Sequence, residues 1–334
     1  METNRSNGVN RRNFLKGLAG IGGSFVAAGL VRSSWASVPE AAGWAEPRAD
    51  RMGVQLYTVT DQLQRDFAGT LERVAQIGYK EVEFAGYFGH TPEQVKELLG
   101  RFGLTSPSAH IGLNQLREDL DGQIRAAHTI GQKFITVPSL GRTETPLSEA
   151  DTWKRVAEEF NRIGARLKTE GLRLAFHNHA GEFVEVGDGR TGMDIFVSET
   201  DPSLVDFELD LMWAAVAGQD PVAWFERYPG RFKMWHVKDM KNLAAAQAQQ
   251  VPRLRNPGGQ GAGRPGGGSG PTGQIVPVGH GDIDFRRIFA RWERSGLEHF
   301  FVEHDGAARW PGGSLASIQS SHETLKRLLS PAGA

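Results

Sequence analysis

From Met52 onward the chain alternates short runs rich in β-formers with helix-like stretches, and it does so eight times. The strand-like runs are "MGVQLYTV" (52–59), "YKEVEF" (79–84), "LTSPSAH" (104–110), "KFITVPSL" (133–140), "LRLAFHNH" (172–179), "LVDFELDL" (204–211), "RFKMWHVKD" (231–239) and "HFFVEHD" (299–305). Between them lie segments with helical punctuation. "TPEQVKELLGRFG" opens on Thr91 as N-cap, places Pro92 at the first helical position and stops at Gly103. "EADTWKRVAEEFNRIGARLKTEG" carries Trp153, Val156, Phe160, Ile163 and Leu167 at helical spacing, and "GGSLASIQSSHETLKRLL" supplies a closing helix. Strands separated by helices form a parallel sheet, and eight such units predict an α/β fold, a (β/α)8 TIM barrel over 51–330 as one domain. An open doubly wound sheet is the alternative. It wants a Gly-x-Gly-x-x-Gly turn after the first strand, where this chain has Tyr57-Thr58-Val59-Thr60-Asp61.

One stretch breaks the alternation. Residues 244–279 are dominated by glycine and proline, with Arg253, Arg255 and Arg264 the only charges. Such a run buries too little apolar surface to offset its ordering entropy, so a long, mostly disordered insertion is expected after strand seven. It leaves the barrel on the face where strands end, as an active-site lid, a substrate clamp or a tolerated surface loop. An RNA-binding Arg-Gly segment would need a denser repeat with interleaved aromatics.

Residues 1–36 read as an address: Arg11-Arg12 and Phe14-Leu15-Lys16 precede an uncharged Gly/Ala/Leu stretch and a small-residue exit at Ser34 and Ala36. The stretch resembles a twin-arginine export signal, with Asn10 where Ser or Thr is usual. The resemblance implies export of a folded protein to the periplasm, residues 37–50 being a linker. The apolar core is too short for a stable membrane span. Without Arg5, Arg11, Arg12, Lys16, Arg32 and Glu2, the totals of 38 basic and 39 acidic residues fall to 33 and 38, a net charge near −5. That is poor equipment for a phosphate backbone, so no nucleic-acid partner is expected. The absence of cysteine excludes disulfides, thiolate ligands and thiol nucleophiles. A homo-oligomer stays open.

Alternate residues of a strand face one side. His177 and His179 therefore share a face in strand five, Glu208 and Asp210 in strand six, His236 and Lys238 in strand seven, Glu303 and Asp305 in strand eight. Singly, each has a bland reading: His236 as a core histidine, Asp210 as a helix cap, Glu303 as an ion-pair partner of Lys238. Four consecutive strands sending such groups inward instead predict one divalent metal ion held by His177, Asp210, His236 and Glu303. Two nitrogens and two carboxylates suit manganese, cobalt, zinc, iron or nickel, with magnesium also open, better than calcium.

"HNHAGEF", "DFELDLMWAAVAGQDP", "RYPGRFKMWHVKDM", "VGHGDIDF" and "FVEHD" resemble the sugar phosphate isomerase/epimerase group of the xylose isomerase-like barrel superfamily, over about Gly53 to Leu329. The resemblance implies a metal held by Glu, Asp, His and Glu on strands five to eight, matched here by Asp210, His236 and Glu303. Where many members have glutamate at the end of strand five this chain has His177, so the first ligand is either His177 or Glu182. The resemblance further implies isomerisation or epimerisation of a carbohydrate through an enediolate, with Glu182 and Glu303 moving the proton. His110 and His179 are candidates for gripping hydroxyls or shuttling protons, and Lys238 for stabilising an oxyanion. Gln55, Tyr57 and Glu83 are possible pocket liners. Trp213, Trp235 and Trp310 are possible sugar platforms or plain core. No phosphate loop is present and the chain reads as exported, so an unphosphorylated sugar, keto-sugar or glycoside is expected. A lyase or dehydratase working by β-elimination, and a non-catalytic carbohydrate-binding barrel, are the alternatives. An apurinic endonuclease would want more histidine ligands, and Trp213 stands where one is needed.

Overall fold

The computed structural model describes residues 49–256, except 142 and 144, and residues 272–330. The expected export signal at 1–36 and most of the linker lie outside the described residues.

Eight parallel strands close into a barrel: β1 (Gly53–Gln55), β2 (Glu81–Phe84), β3 (Thr105–His110), β4 (Phe134–Val137), β5 (Arg173–His177), β6 (Val205–Asp210), β7 (Phe232–Val237) and β8 (His299–Val302). Each lies beside its neighbours in sequence, and β8 pairs with β1 through Gly53↔Phe301. All eight expected strands form, shorter by a few residues because the polar ends continue as loops. The helix at Pro92–Phe102 has Thr91 as its N-cap in a reciprocal capping box with Gln94, and ends on Gly103 in the left-handed region at φ 67°. The helix at Ala150–Thr169 buries Trp153, Val156, Phe160 and Leu167, the apolar positions read from its spacing. Its Phe160 meets Phe176 and Phe196 edge to face, joining the helical layer to the outer face of β5.

The insertion departs from expectation. Residues Leu243–Arg255 form a helix with Leu243, Ala246 and Leu254 buried. The Gly/Pro content is concentrated beyond it, while this first part is an Ala/Gln/Leu run of strong helix formers that tolerates Pro252 near its end. Residues 257–271 lie outside the described residues. The segment's base is tied down twice. Asp239–Lys241 pairs antiparallel with Gln274–Val276. The buried Asp239 carboxylate then accepts backbone N–H bonds from Gly279 (2.8 Å), Gly281 (2.9 Å), Met240 (2.9 Å) and Ile283 (3.3 Å). A Cβ on Gly281 would run into that carboxylate, which is why glycine stands there.

Candidate active site and metal centre

Phe134, Ala175, Met234 and Phe301 form a fully buried cluster inside the barrel. They point inward from β4, β5, β7 and β8 and floor the site, closing it to water from below. One step toward the C-terminal mouth the inward side chains become polar. Register sets their level: His177 pairs with Glu208, Asp210 with His236, and Glu303 lies two residues beyond Phe301, the partner of His236. His177, Asp210, His236 and Glu303 consequently bring one ligand atom each within 4.8 Å of one another, all buried. The four residues read from strand parity are brought together.

A second group, His110, His177, Glu208 and His236, meets the same distance test and shares two histidines with the first. The hydrogen bonds separate the two. Glu208 Oε2 lies 2.8 Å from His110 Nε2, 3.2 Å from His177 Nδ1 and 3.1 Å from His236 Nε2. Glu83 Oε2 lies 2.7 Å from His236 Nε2 and 3.2 Å from His110 Nε2. On the mouth side His236 Nδ1 is 2.6 Å from Glu303 Oε2, and His177 Nε2 is 3.9 Å from Asp210 Oδ2. Each shared histidine thus turns one nitrogen to the deep carboxylates and the other to the mouth. A metal-ligating histidine commonly donates its second N–H to a carboxylate. That assigns Glu83 and Glu208 to orientation and leaves His177 Nε2, His236 Nδ1, Asp210 and Glu303 to face a cation. Glu83 Oε1 and Glu208 Oε1 are buried without a hydrogen-bond partner, and Asp210 Oδ2, which also makes none, has the Lys238 ammonium at 3.2 Å as its charged neighbour.

The electrostatics point the same way. Lys238 Nζ sits 3.2 Å from Asp210, 2.9 Å from Glu303 and 3.0 Å from Asp305. Three carboxylates thus share one buried ammonium, and two more, Glu83 and Glu208, face His110 and His236. Burial opposes charge on His236, but Glu208 and Glu303 prevail and hold its pKa well above the ordinary range. His110, opposed by burial but gripped by Glu83 and Glu208, is raised to about 9. Burial pushes Asp210 up to about 6 against the pull of Lys238 and His236. The raised His110 and His236 mark an excess of negative charge around them, which a divalent cation would neutralise, whereas burial and the neighbouring histidines hold His177 low and neutral, the state in which a histidine ligates. The donor set fits such an ion.

Above the cluster opens a cavity of 750 Å³, lined among others by Tyr57, His110, His177, His179, Glu303 and Asp305. Tyr57, 55% exposed, sits on its wall as expected. Two expectations need correction, and the open choice for Trp235 resolves to core. Glu182 does not join the cluster or line the cavity: past His177 the chain makes a 3-10 turn at Gly181–Phe183, and Glu182 Oε2 accepts the His179 N–H at 2.7 Å. Of the two options for the first ligand, only His177 stands with the other three. Gln55 is fully buried and donates to Glu83 Oε2 at 2.8 Å, so it holds an acid and does not line the cavity. Trp235 is fully buried and stacks on Phe225 at 4.9 Å, as its parity opposite His236 requires. Trp213 lies beneath the wall, 5.8 Å from the His179 ring and 5.8 Å from Lys238 Nζ. Glu208 and Glu83 were under-read, although Glu208 shares a face with Asp210.

Comparisons with known proteins agree with this architecture. Inosose dehydratase of Lacticaseibacillus casei is 24% identical over 260 residues, covering 71% of this chain and 80% of its own. The crystal structure of a sugar phosphate isomerase/epimerase from Parabacteroides distasonis superposes with a TM-score of 0.64 at 25% identity, covering 86% of this chain and 96% of that one. The IOLI protein, whose crystal structure contains a bound zinc atom, shares the fold at a TM-score of 0.61 and 12% identity, over 84% and 98% of the two chains. The family model of the xylose isomerase-like TIM barrel matches residues 71–327, and the chain belongs to that family.

Proposed function

We propose that this protein is a metal-dependent carbohydrate enzyme that removes a proton beside a carbonyl of an unphosphorylated keto-sugar or glycoside. The observation that carries the reading is the convergence of His177, Asp210, His236 and Glu303, all buried, under an open cavity. A divalent ion held by these four supplies Lewis acidity toward a substrate carbonyl. The zinc of the IOLI structure supports a divalent ion here, and no single metal is favoured. The chain's own residues do the rest. His179 lies on the cavity wall, where burial and the charge of Lys238 lower it to about 3; its neutral ring is a weak base suited to hydrogen-bonding substrate hydroxyls, which leaves Glu303 on the same wall as the group to move the proton. Glu182 fixes the His179 backbone from behind. Lys238, clamped by Asp210, Glu303 and Asp305, presents positive charge to a developing oxyanion. His110 and Tyr57 stand where substrate hydroxyls are gripped. The Phe134, Ala175, Met234 and Phe301 floor excludes water beneath the reacting carbons.

Two fates follow proton removal. Return of the proton to carbon gives isomerisation or epimerisation; expulsion of a β-substituent gives elimination. The inosose dehydratases of L. casei and Clostridium perfringens, the latter 28% identical over 257 residues, favour elimination as the second reading. The test is NMR of the metal-loaded protein with keto-sugars and 3-oxo-glycosides in D₂O. Deuterium incorporation without fragmentation identifies an isomerase or epimerase, and loss of water or an aglycone identifies a lyase. No exchange and no release with any probe would leave only a binding protein.

A further inference from the structure

A second cavity of 460 Å³ adjoins the first, lined by Gln274, Ile275, Asp305, Arg309, Trp310 and Pro311 among others. Asp305 lines both cavities, so the two lie side by side at that residue. One wall comes from outside the barrel: Gln274 and Ile275 belong to the antiparallel ribbon at the base of the insertion. The other wall follows β8. Gly306 takes a left-handed φ of 78° and the Arg309 guanidinium folds directly over it, so a side chain there would be strained and would displace the arginine. Trp310 is half-buried, with edge-on contacts from His280 at 5.5 Å and His304 at 6.2 Å that fix its plane. His304 is itself held 2.7 Å from Ser317. The cavity therefore offers a fixed indole, a proline and an isoleucine beside an amide, a guanidinium and a carboxylate.

Resting on the carbohydrate reading above, we infer that this second cavity is a subsite for a second sugar ring, and that the substrate is a glycoside of at least two rings. The rigid aromatic face suits the C–H face of a pyranose, while Gln274, Arg309 and Asp305 suit its hydroxyls. Asp305 shares Lys238 with Asp210 and Glu303, at 3.0 Å, and its carboxylate can accept from the hydroxyls of a ring that bridges the boundary. The experiment is calorimetry with the metal-loaded full chain, using D-glucose and its methyl glucosides as one-ring probes and cellobiose, maltose and trehalose as two-ring probes. At least one two-ring probe is expected to bind roughly ten-fold tighter than its one-ring counterpart, from one stacked ring and its added contacts. Trp310→Ala collapses that ratio toward one, and Trp310→Phe, which keeps an aromatic face, restores part of it. Equal affinities for one-ring and two-ring probes, or a ratio untouched by Trp310→Ala, overturn the subsite. Proton exchange in D₂O is read in parallel on the 3-oxo derivatives of the same one-ring and two-ring glycosides, because methyl glucosides and trehalose have no carbonyl beside which a proton can leave. Trp310-dependent binding without exchange refutes the enolising chemistry and keeps the subsite; exchange with no two-ring preference does the reverse.

Discussion

Glu182→Gln gives a stability measurement whose sign and size follow from one buried carboxyl. Burial raises the Glu182 pKa from its ordinary 4.5 to about 7, opposed by backbone hydrogen bonds that include the 2.7 Å contact from His179 N–H. The folded state therefore holds this proton more tightly than the unfolded chain. Between pH 4.5 and 7 the unfolded state binds fewer protons, so folding stability falls as pH rises through that window. Linkage makes the loss ~3 kcal/mol from pH 4 to pH 8, with about 1.3 kcal/mol of it between pH 6 and pH 8. Glutamine keeps the shape and the oxygen that accepts from His179 but does not titrate. Urea denaturation of both proteins at pH 6 and pH 8, with chelator present to remove metal linkage, isolates the term because the other groups cancel. The variant is expected to gain about 1.3 kcal/mol on the wild type across that interval. Parallel stability profiles would show that Glu182 is ionised or solvated at neutral pH, and the placement of its carboxyl behind His179 would fall with them.

Other outcomes follow from the site. Asp210→Ala removes one of the four proposed ligands; bound metal and turnover should vanish together, measured by elemental analysis and D₂O exchange. Metal at a hundred-fold excess over its dissociation constant should stabilise the wild type by about 2.7 kcal/mol in chemical denaturation, and that increment should be absent in Asp210→Ala. Glu208→Gln leaves the four ligands intact but loosens His177 and His236, so metal affinity should drop ten- to a hundred-fold by competition titration while the far-ultraviolet circular dichroism is unchanged. Changing Arg11 and Arg12 together to lysine should abolish export if residues 1–36 are a twin-arginine signal; unchanged periplasmic levels would refute that assignment.

The barrel was legible because its signal is local and repeated: each strand announces itself by β-formers ending in polar residues, and each helix by caps such as Thr91 and Gly103. The metal-facing set was legible for a similar reason, since period two inside a strand decides which residues face inward. What parity leaves open is height. Glu208 and Asp210 share a face, but only the register of β6 against β5 and β7 places one level with His177 and the other with His236. That difference separates an orienting carboxylate from a ligand, and it belongs to pairs of strands. Glu182 was misplaced because a three-residue turn redirects its side chain, and no periodicity covers so short an element. Gln55 has the inward parity expected of it, but its hydrogen bond to Glu83 takes it out of reach of the cavity. Trp235, open as core or platform, is core, because a neighbour of the inward His236 has to face the helices.

The four N–H bonds gathered by Asp239 have a consequence for how this chain can change over time. They fasten the start of the excursion after β7 to its return, so the barrel's geometry is decided before the intervening sequence is reached. A change in the number of residues between 256 and 272 therefore acts on a connection whose two ends are already fixed; were it a flexible link, the entropic cost would be about 0.6 kcal/mol for each doubling. The return end leads straight into Gln274 and Ile275 of the second cavity's wall, so sequence changes that reshape this wall can arise without touching the strands that hold His177, Asp210, His236 and Glu303.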